Sequence, residues 1–248
     1  MATELSCDVK TIEYIYHISD IHIRLRQRHD EYRMVFDNLY EKLNELNNHN
    51  GIIVITGDIL HSKTNLSPEA IQLTHELFYN LSKIMPTVII PGNHDANLSN
   101  LTRLDALSPI IDPIKEIKHH QIYYLQYTGV YKMNNLFFGV TSVFGTKEPS
   151  IIKTIMRADS IPEIKHTFKI GLCHETLHNS ILDSGKSLPN TISVRDFNGY
   201  DMVLLGDIHK RQFMNSKETI AYAGSLIQQD KGESIVEHGM IQWDVQER

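Results

Sequence analysis

Five short runs of apolar, mostly β-branched residues each stop abruptly at a residue able to bind a cation. IEYIYHIS ends before Asp20, GIIVITG before Asp58, PTVIIPG before Asn93, FKIGLC before His174 and DMVLLG before Asp207. Their apolarity is continuous rather than alternating, which suits strands covered on both faces. Helical periodicity fills the gaps. One pattern runs from about Glu31 to Asn47, with Met34, Val35, Leu39, Leu43 and Leu46 on one stripe. Another, Ser67 to Leu81, opens with a cap residue and a proline at the first helical position. Strands alternating with helices predict an α/β domain. Between Ile122 and Phe144 the pattern becomes that of antiparallel strands joined through Met133-Asn134-Asn135. A second hairpin-like pair is expected around TIAYAGS and HGMIQWDV. With no internal repeat, low-complexity tract or clear linker, residues 1–248 read as a single domain.

The net charge of −6, from 24 Lys+Arg against 30 Asp+Glu, has the wrong sign for a general nucleic-acid coat. It leaves room for an enzyme that meets phosphates through bound cations. Cys7 and Cys173 form no disulfide framework and no zinc-type pair, and Cys173 is expected to be a small buried hydrophobe. The N-terminus has neither the basic start nor the apolar stretch of a signal peptide, and no run approaches the roughly 20 residues that span a bilayer. The expectation is a soluble intracellular protein of a reducing compartment, cytoplasm or nucleus, with no membrane partner. Ser184-Gly185-Lys186-Ser187 imitates the end of a phosphate-binding loop, but Ser180 stands where that motif needs its first glycine.

After the five runs stand Asp20-Ile21-His22, Gly57-Asp58, Gly92-Asn93-His94-Asp95, His174 and Gly206-Asp207-Ile208-His209. Sites in open α/β sheets form at the carboxyl ends of strands. Two residues apart on an extended backbone, the members of Asp20-x-His22 and of Asp207-x-His209 point to one face, so each pair can converge on one cluster. Glycines at 57, 92 and 206 permit tight turns there. A donor set of oxygens and imidazoles without thiolate favours Mn²⁺, Fe²⁺ or Zn²⁺ over Ca²⁺ or a structural zinc. A carboxylate shared by two ions would hold them roughly 3.5–4 Å apart.

This order of residues resembles the calcineurin-like metallophosphoesterase superfamily, whose pattern runs DxH, GD, GNH, H and GHxH. The resemblance implies a four-layer α-β-β-α sandwich of two mixed sheets flanked by helices. It also implies two divalent ions. One would be held by Asp20, His22, Asp58 and His209, the other by Asp58, Asn93, His174 and Asp207, with Asp58 bridging. A water activated by the ions would attack phosphorus while His94 protonates the leaving oxygen. Asp207 stands where the first histidine of GHxH usually sits, which moves the expected preference toward harder ions such as Mn²⁺ or Mg²⁺.

Protein phosphatases of that superfamily carry GDxVDRG, whereas this chain reads GDILHSK. Asp-Ile-Leu-His-Ser, GYDMVLLGDIHKRQ, AYAGSLIQQ and HGMIQWDV instead resemble DNA-repair nucleases of the SbcD and meiotic recombination eleven type. There a histidine three residues past the bridging aspartate helps position the DNA strand, and His61 matches it. Arg24, Arg26 and Arg28, with Arg33 beyond, and Lys210-Arg211 set cations beside the metal loops. Such a patch could hold a phosphate backbone. The expectation is a DNA exonuclease or endonuclease of the double-strand-break repair type. The competing readings are a phosphatase or phosphodiesterase acting on small or nucleotide substrates, and a metal-free scaffold. The expected partners are DNA, an SMC-like Rad-type ATPase subunit and a second copy of the chain. The DNA-capping and ATPase-binding segments of that family are expected to be absent.

Overall fold

A computed structural model describes residues 2–46, 50–100, 103–147 and 155–246. The first half contains β1 (Thr3–Glu4), β2 (Tyr14–Ile18), α1 (His29–Leu46), β3 (Gly51–Thr56), α2 (Pro68–Ile84), β4 (Thr87–Ile90), α3 (Ser108–Lys115) and β5 (Ile122–Tyr124). There follow β6 (Gly129–Met133), β7 (Leu136–Thr141), β8 (Phe168–His174), β9 (Ser180–Ile181) and β10 (Ser187–Leu188). The chain closes through β11 (Met202–Gly206), β12 (Gln212–Phe213), β13 (Ile220–Tyr222) and β14 (Ile241–Asp244).

Two mixed sheets form an α/β sandwich. The five-stranded sheet has the order β14-β2-β3-β4-β5, parallel except for the β14 edge. The seven-stranded sheet has the order β1-β6-β7-β8-β11-β13-β12, with a parallel centre from β7 to β13. The strand Gly51–Thr56 shows why the runs are continuously apolar. Ile53 and Ile55 pack with the helices through Leu73, Leu77 and Phe78, while Ile52 and Val54 face Phe138, Ile170 and Leu204 of the other sheet. The outer face of the larger sheet buries Cys173, Val203, Leu205 and Tyr222. Its cover includes the 3₁₀ turn Val194–Phe197, which contributes Phe197. No described helix is long and apolar enough to cross a membrane.

Helix α2 starts as its sequence predicts, with the Ser67 side chain accepting from Ala70 N at 3.2 Å and Pro68 in the first turn. In α1 the buried stripe is Tyr32, Phe36, Leu39 and Leu43, whereas Met34 is 60% exposed. Val35 and Leu46 of the expected stripe pack against the same core, so Met34 alone leaves it, its place taken by the aromatic residues Tyr32 and Phe36; the helix's expected last residue, Asn47, lies outside the described residues. The Met133-Asn134-Asn135 hairpin forms, pairing Met133 with Leu136. By contrast, Ile122–Tyr124 is a parallel strand of the smaller sheet, and TIAYAGS does not pair with HGMIQWDV. Strand β13 belongs to the large sheet and β14 to the small one. Ser225 makes a parallel bridge to Ser19 and so carries the chain across to the other sheet.

Candidate metal centre

The carboxyl ends of β2, β3 and β4 deliver Asp20, His22, Asp58 and Asn93 from one sheet, and those of β8 and β11 deliver His174, Asp207 and His209 from the other. They meet in one cluster. His22 Nε2 lies 3.0 Å from His209 Nε2, 3.5 Å from Asp58 Oδ2 and 3.9 Å from Asp20 Oδ1. His174 Nε2 lies 3.3 Å from Asp58 Oδ1 and 3.8 Å from Asp207 Oδ1. Asn93 Nδ2 donates to Asp207 Oδ1 at 3.1 Å. The two oxygens of Asp58 therefore face two different histidines. Asp20 is equally central: it forms one compact triplet with His22 and His209, and another with Asp58 and His174.

The Asp-x-His pairs do not converge on extended backbone, as the sequence suggested. Asp20 and His22 both have φ 50°, Asp58 has 52° and Asp207 has 97°. Such conformations cost about 1–3 kcal/mol each in non-glycine residues and persist only where the surroundings over-determine them. Here Asp20 N donates to Gly57 O at 3.1 Å and His22 N to Asp58 O at 2.9 Å, tying the two loops together.

Outer contacts orient the cluster. His174 Nδ1–H donates to Thr56 O at 2.7 Å, and His209 Nδ1–H to Glu233 Oε1 at 2.6 Å, so both keep Nε2 turned to the centre. Thr176 Oγ donates to Asp207 Oδ2. Asp95 is buried behind these loops and is no part of the ligand set the sequence suggested. It accepts from Ile59 N at 3.0 Å, Leu60 N at 2.9 Å and Gly92 N at 2.8 Å, and so locks the Asp58 and Asn93 loops to each other. Sequence reasoning missed the roles of Asp95, Thr176 and Glu233. Asp95 stands inside a quoted motif, whereas Glu233 lies in a polar loop with no signal at all.

The electrostatics fit a cation. Burial works against protonating His174, yet Asp58, Asp20 and Asp207 outweigh it and raise its pKa to about 10. Burial would raise Asp58, but His174 and His22 hold it below the ordinary carboxylate range. Desolvation pushes Asp20 up to about 6. Three carboxylates thus concentrate negative charge around a buried imidazole. Among the described residues, His174 Nε2 is buried without a hydrogen-bond partner, 3.3 Å from Asp58 Oδ1 and 3.8 Å from Asp207 Oδ1. An orphaned imidazole nitrogen beside crowded carboxylates suits a divalent metal, and the oxygen and nitrogen donors suit Mn²⁺, Fe²⁺ or Zn²⁺.

His94 and His61 stand at the rim. The His94 ring lies edge-on to His22 with centroids 4.9 Å apart, its Nδ1–H donates to His61 O at 2.7 Å, and its backbone N donates to Asp58 Oδ1 at 2.8 Å. Arg24 NH1 reaches His61 Nε2 at 3.4 Å and its NH2 donates to Gln229 O at 2.9 Å. Arg26 joins Arg24 and His61 around a cleft of about 470 Å³. Lys210 is half-buried, and Arg211 lies 3.9 Å from Glu237. Arg28 and Arg33 are engaged by Glu31 and Glu76.

Residues 14–211 match the family model described as calcineurin-like phosphoesterase. The chain is 48% identical over 250 residues to uncharacterized protein R555 of Acanthamoeba polyphaga mimivirus, covering 99% of this chain but 18% of that protein. It is 24% identical over 220 residues to the protein named "Putative phosphoesterase 244L" of Invertebrate iridescent virus 6, covering 89% of this chain and 72% of that one. The chain thus spans under a fifth of the length of its mimivirus relative. Two sheets whose strand ends pool aspartates and histidines, and a family match over that same span, lead to one statement: the chain belongs to the calcineurin-like phosphoesterase family.

Proposed function

We propose that the chain hydrolyses phosphodiester bonds of DNA at a two-ion centre. The observation that carries the reading is the split of Asp58, whose Oδ2 faces His22 at 3.5 Å and whose Oδ1 faces His174 at 3.3 Å. One ion would sit among Asp20, His22, Asp58 and His209, the other among Asp58, Asn93, His174 and Asp207. Mn²⁺ is the metal we expect. Bound divalent ions supply Lewis acidity, drawing charge off the phosphoryl oxygens and acidifying water.

The side chains around the centre support the rest of the chemistry. With Nδ1–H committed to the His61 carbonyl, His94 would act from its imidazolium form, giving the proton on Nε2 to a leaving oxygen. His61, backed by Arg24, and Arg26 line the adjoining cleft, where a nucleic-acid strand would place its next phosphates. Lys210 and Arg211 follow His209 and extend the cationic rim.

The test is cleavage of labelled single- and double-stranded DNA, and of a small chromogenic phosphodiester, with Mn²⁺ against Mg²⁺. His94→Ala should slow both substrates by about 10²–10⁴-fold while keeping both ions. His61→Ala, or Arg24→Ala with Arg26→Ala, should depress DNA cleavage far more than small-ester hydrolysis. Unmodified protein that cleaves the ester with Mn²⁺ yet leaves every DNA intact would replace the nuclease reading with a small-substrate phosphodiesterase.

A further inference from the structure

Of the three imidazoles at the centre, His174 has its Nδ1–H anchored by a backbone carbonyl, while His22 Nδ1 has no partner among the described residues. His209 differs from both, because a carboxylate from a remote loop holds it: Glu233 Oε1 at 2.6 Å. That carboxylate is itself held. Its Oε2 accepts from Gln229 N at 2.6 Å and from Ser225 Oγ at 3.4 Å, and its side chain is 7% exposed. The Gln228 amide donates to Glu233 O at 3.0 Å, and Arg28 and Arg24 donate to the carbonyls of Gln228 and Gln229. A buried carboxylate that accepts from His209, Gln229 N and Ser225 Oγ, on a loop tied down by the other bonds, is a built contact.

We propose that Glu233 is a positioning residue that sets the tautomer and donor strength of His209. The proposal rests on the reading of His209 as a cation ligand. His22 and His209 turn their Nε2 atoms toward each other at 3.0 Å, so both compete for one small space. Keeping the proton of His209 on Nδ1 leaves its Nε2 as a lone pair aimed there, and the negative charge behind the ring makes that nitrogen a stronger donor. Among the described residues nothing equivalent fixes His22. Glu233 therefore makes His209 the better-prepared donor of the two. It also couples the centre to residues 225–233, the segment that braces Arg24 at the cleft.

The experiment uses the full chain and the variants Glu233→Gln and Glu233→Ala. In chelator-treated protein labelled with ¹⁵N-histidine, the two-bond ¹H–¹⁵N pattern of His209 reports its tautomer without any metal. Wild type should keep the proton on Nδ1, and Glu233→Ala should lose that preference. In Glu233→Gln the amide oxygen must serve the Gln229 N–H, so its NH₂ faces His209 Nδ1 and should drive the proton to Nε2. Calorimetric titration with Mn²⁺ should show one of two ions weakened in both variants, by about 10–100-fold. A role confined to propping the loop would lower melting temperature without a tautomer change. An unchanged His209 tautomer in Glu233→Ala overturns the proposal. So does unchanged affinity for both ions. Failure of the wild type to bind Mn²⁺ would refute the two-ion reading instead, and the metal-free spectrum would still decide the role of Glu233 in setting the tautomer. Glu233→Gln has nearly the shape of the native side chain, so its switched tautomer and its affinity loss stand as the check if the alanine variant folds poorly.

Discussion

Replacing Gly92 by alanine would push directly on Asp58. An ideal Cβ at position 92 would lie 2.1 Å from Asp58 Oδ1 and 2.2 Å from Asp58 N, with Cγ at 2.8 Å. Gly92 has no left-handed φ, so the effect is purely one of space. A carboxylate can rotate, but the backbone nitrogen cannot, so one of the two loops must move by roughly 1 Å, a strain that costs about 1–3 kcal/mol. For a chain of this size each kcal/mol shifts the melting temperature by about 2–4 °C, so metal-free Gly92→Ala should melt about 2–12 °C below the wild type. The same displacement moves both Asp58 oxygens, and affinity for both ions should fall with it. Scanning fluorimetry in chelator measures the first effect and calorimetric titration with Mn²⁺ the second. Gly232→Ala, whose added Cβ meets nothing within 4 Å, is the control and should stay within about 0.5 kcal/mol of wild type. A Gly92→Ala protein that melts with the wild type and binds two Mn²⁺ ions equally well would refute the reasoning.

Two further outcomes follow from the same neighbourhood. Asp20 at about 6, Asp95 at about 8 and His174 at about 10 all stand above their ordinary values of 3.8, 3.8 and 6.5. A raised group gives stability that is complete below its unfolded value and lost as pH climbs through its folded one. Below about pH 6.5 His17 and His22, both held under their ordinary values by burial, act in the opposite sense, so metal-free protein should lose melting temperature progressively from roughly pH 6.5 to roughly pH 10, and saturating Mn²⁺ should flatten the decline. A flat profile in chelator would count against it. Asp95→Asn should lower stability by about 1–3 kcal/mol, because an amide nitrogen must face either Gly92 N–H or the pair from Ile59 and Leu60, leaving a buried donor unmet. Chemical denaturation with unchanged midpoint would contradict that account.

The strand ends were legible because burial on both faces leaves continuous apolar runs, and the polar residues that stop them stand out. Ser67-Pro68 marked its helix for an equally local reason, a cap and a fixed φ. What failed depended on distant partners. The pairing of TIAYAGS with HGMIQWDV was inferred from adjacency, yet Ser225 bridges to Ser19 and the two strands enter different sheets. Spacing alone could not show that Asp20 and His22 meet the cluster through left-handed turns, because the bonds that hold those turns come from Gly57 and Asp58. Glu233 was invisible for the same reason. Its significance is a contact 24 positions away in the chain.

The centre draws Asp20, His22, Asp58 and Asn93 from one sheet and His174, Asp207 and His209 from the other. Neither half can collect the full set until the sandwich has closed. An ion bound by the full set is thus a ligand of the native chain alone, and it cannot nucleate either sheet in advance. Free ion at a hundred times its dissociation constant would add about 2.7 kcal/mol to stability by mass action. The melting temperature of a chain loaded in this way would be a function of trace metal in the buffer, and two preparations with identical sequence would differ in it through their salts alone.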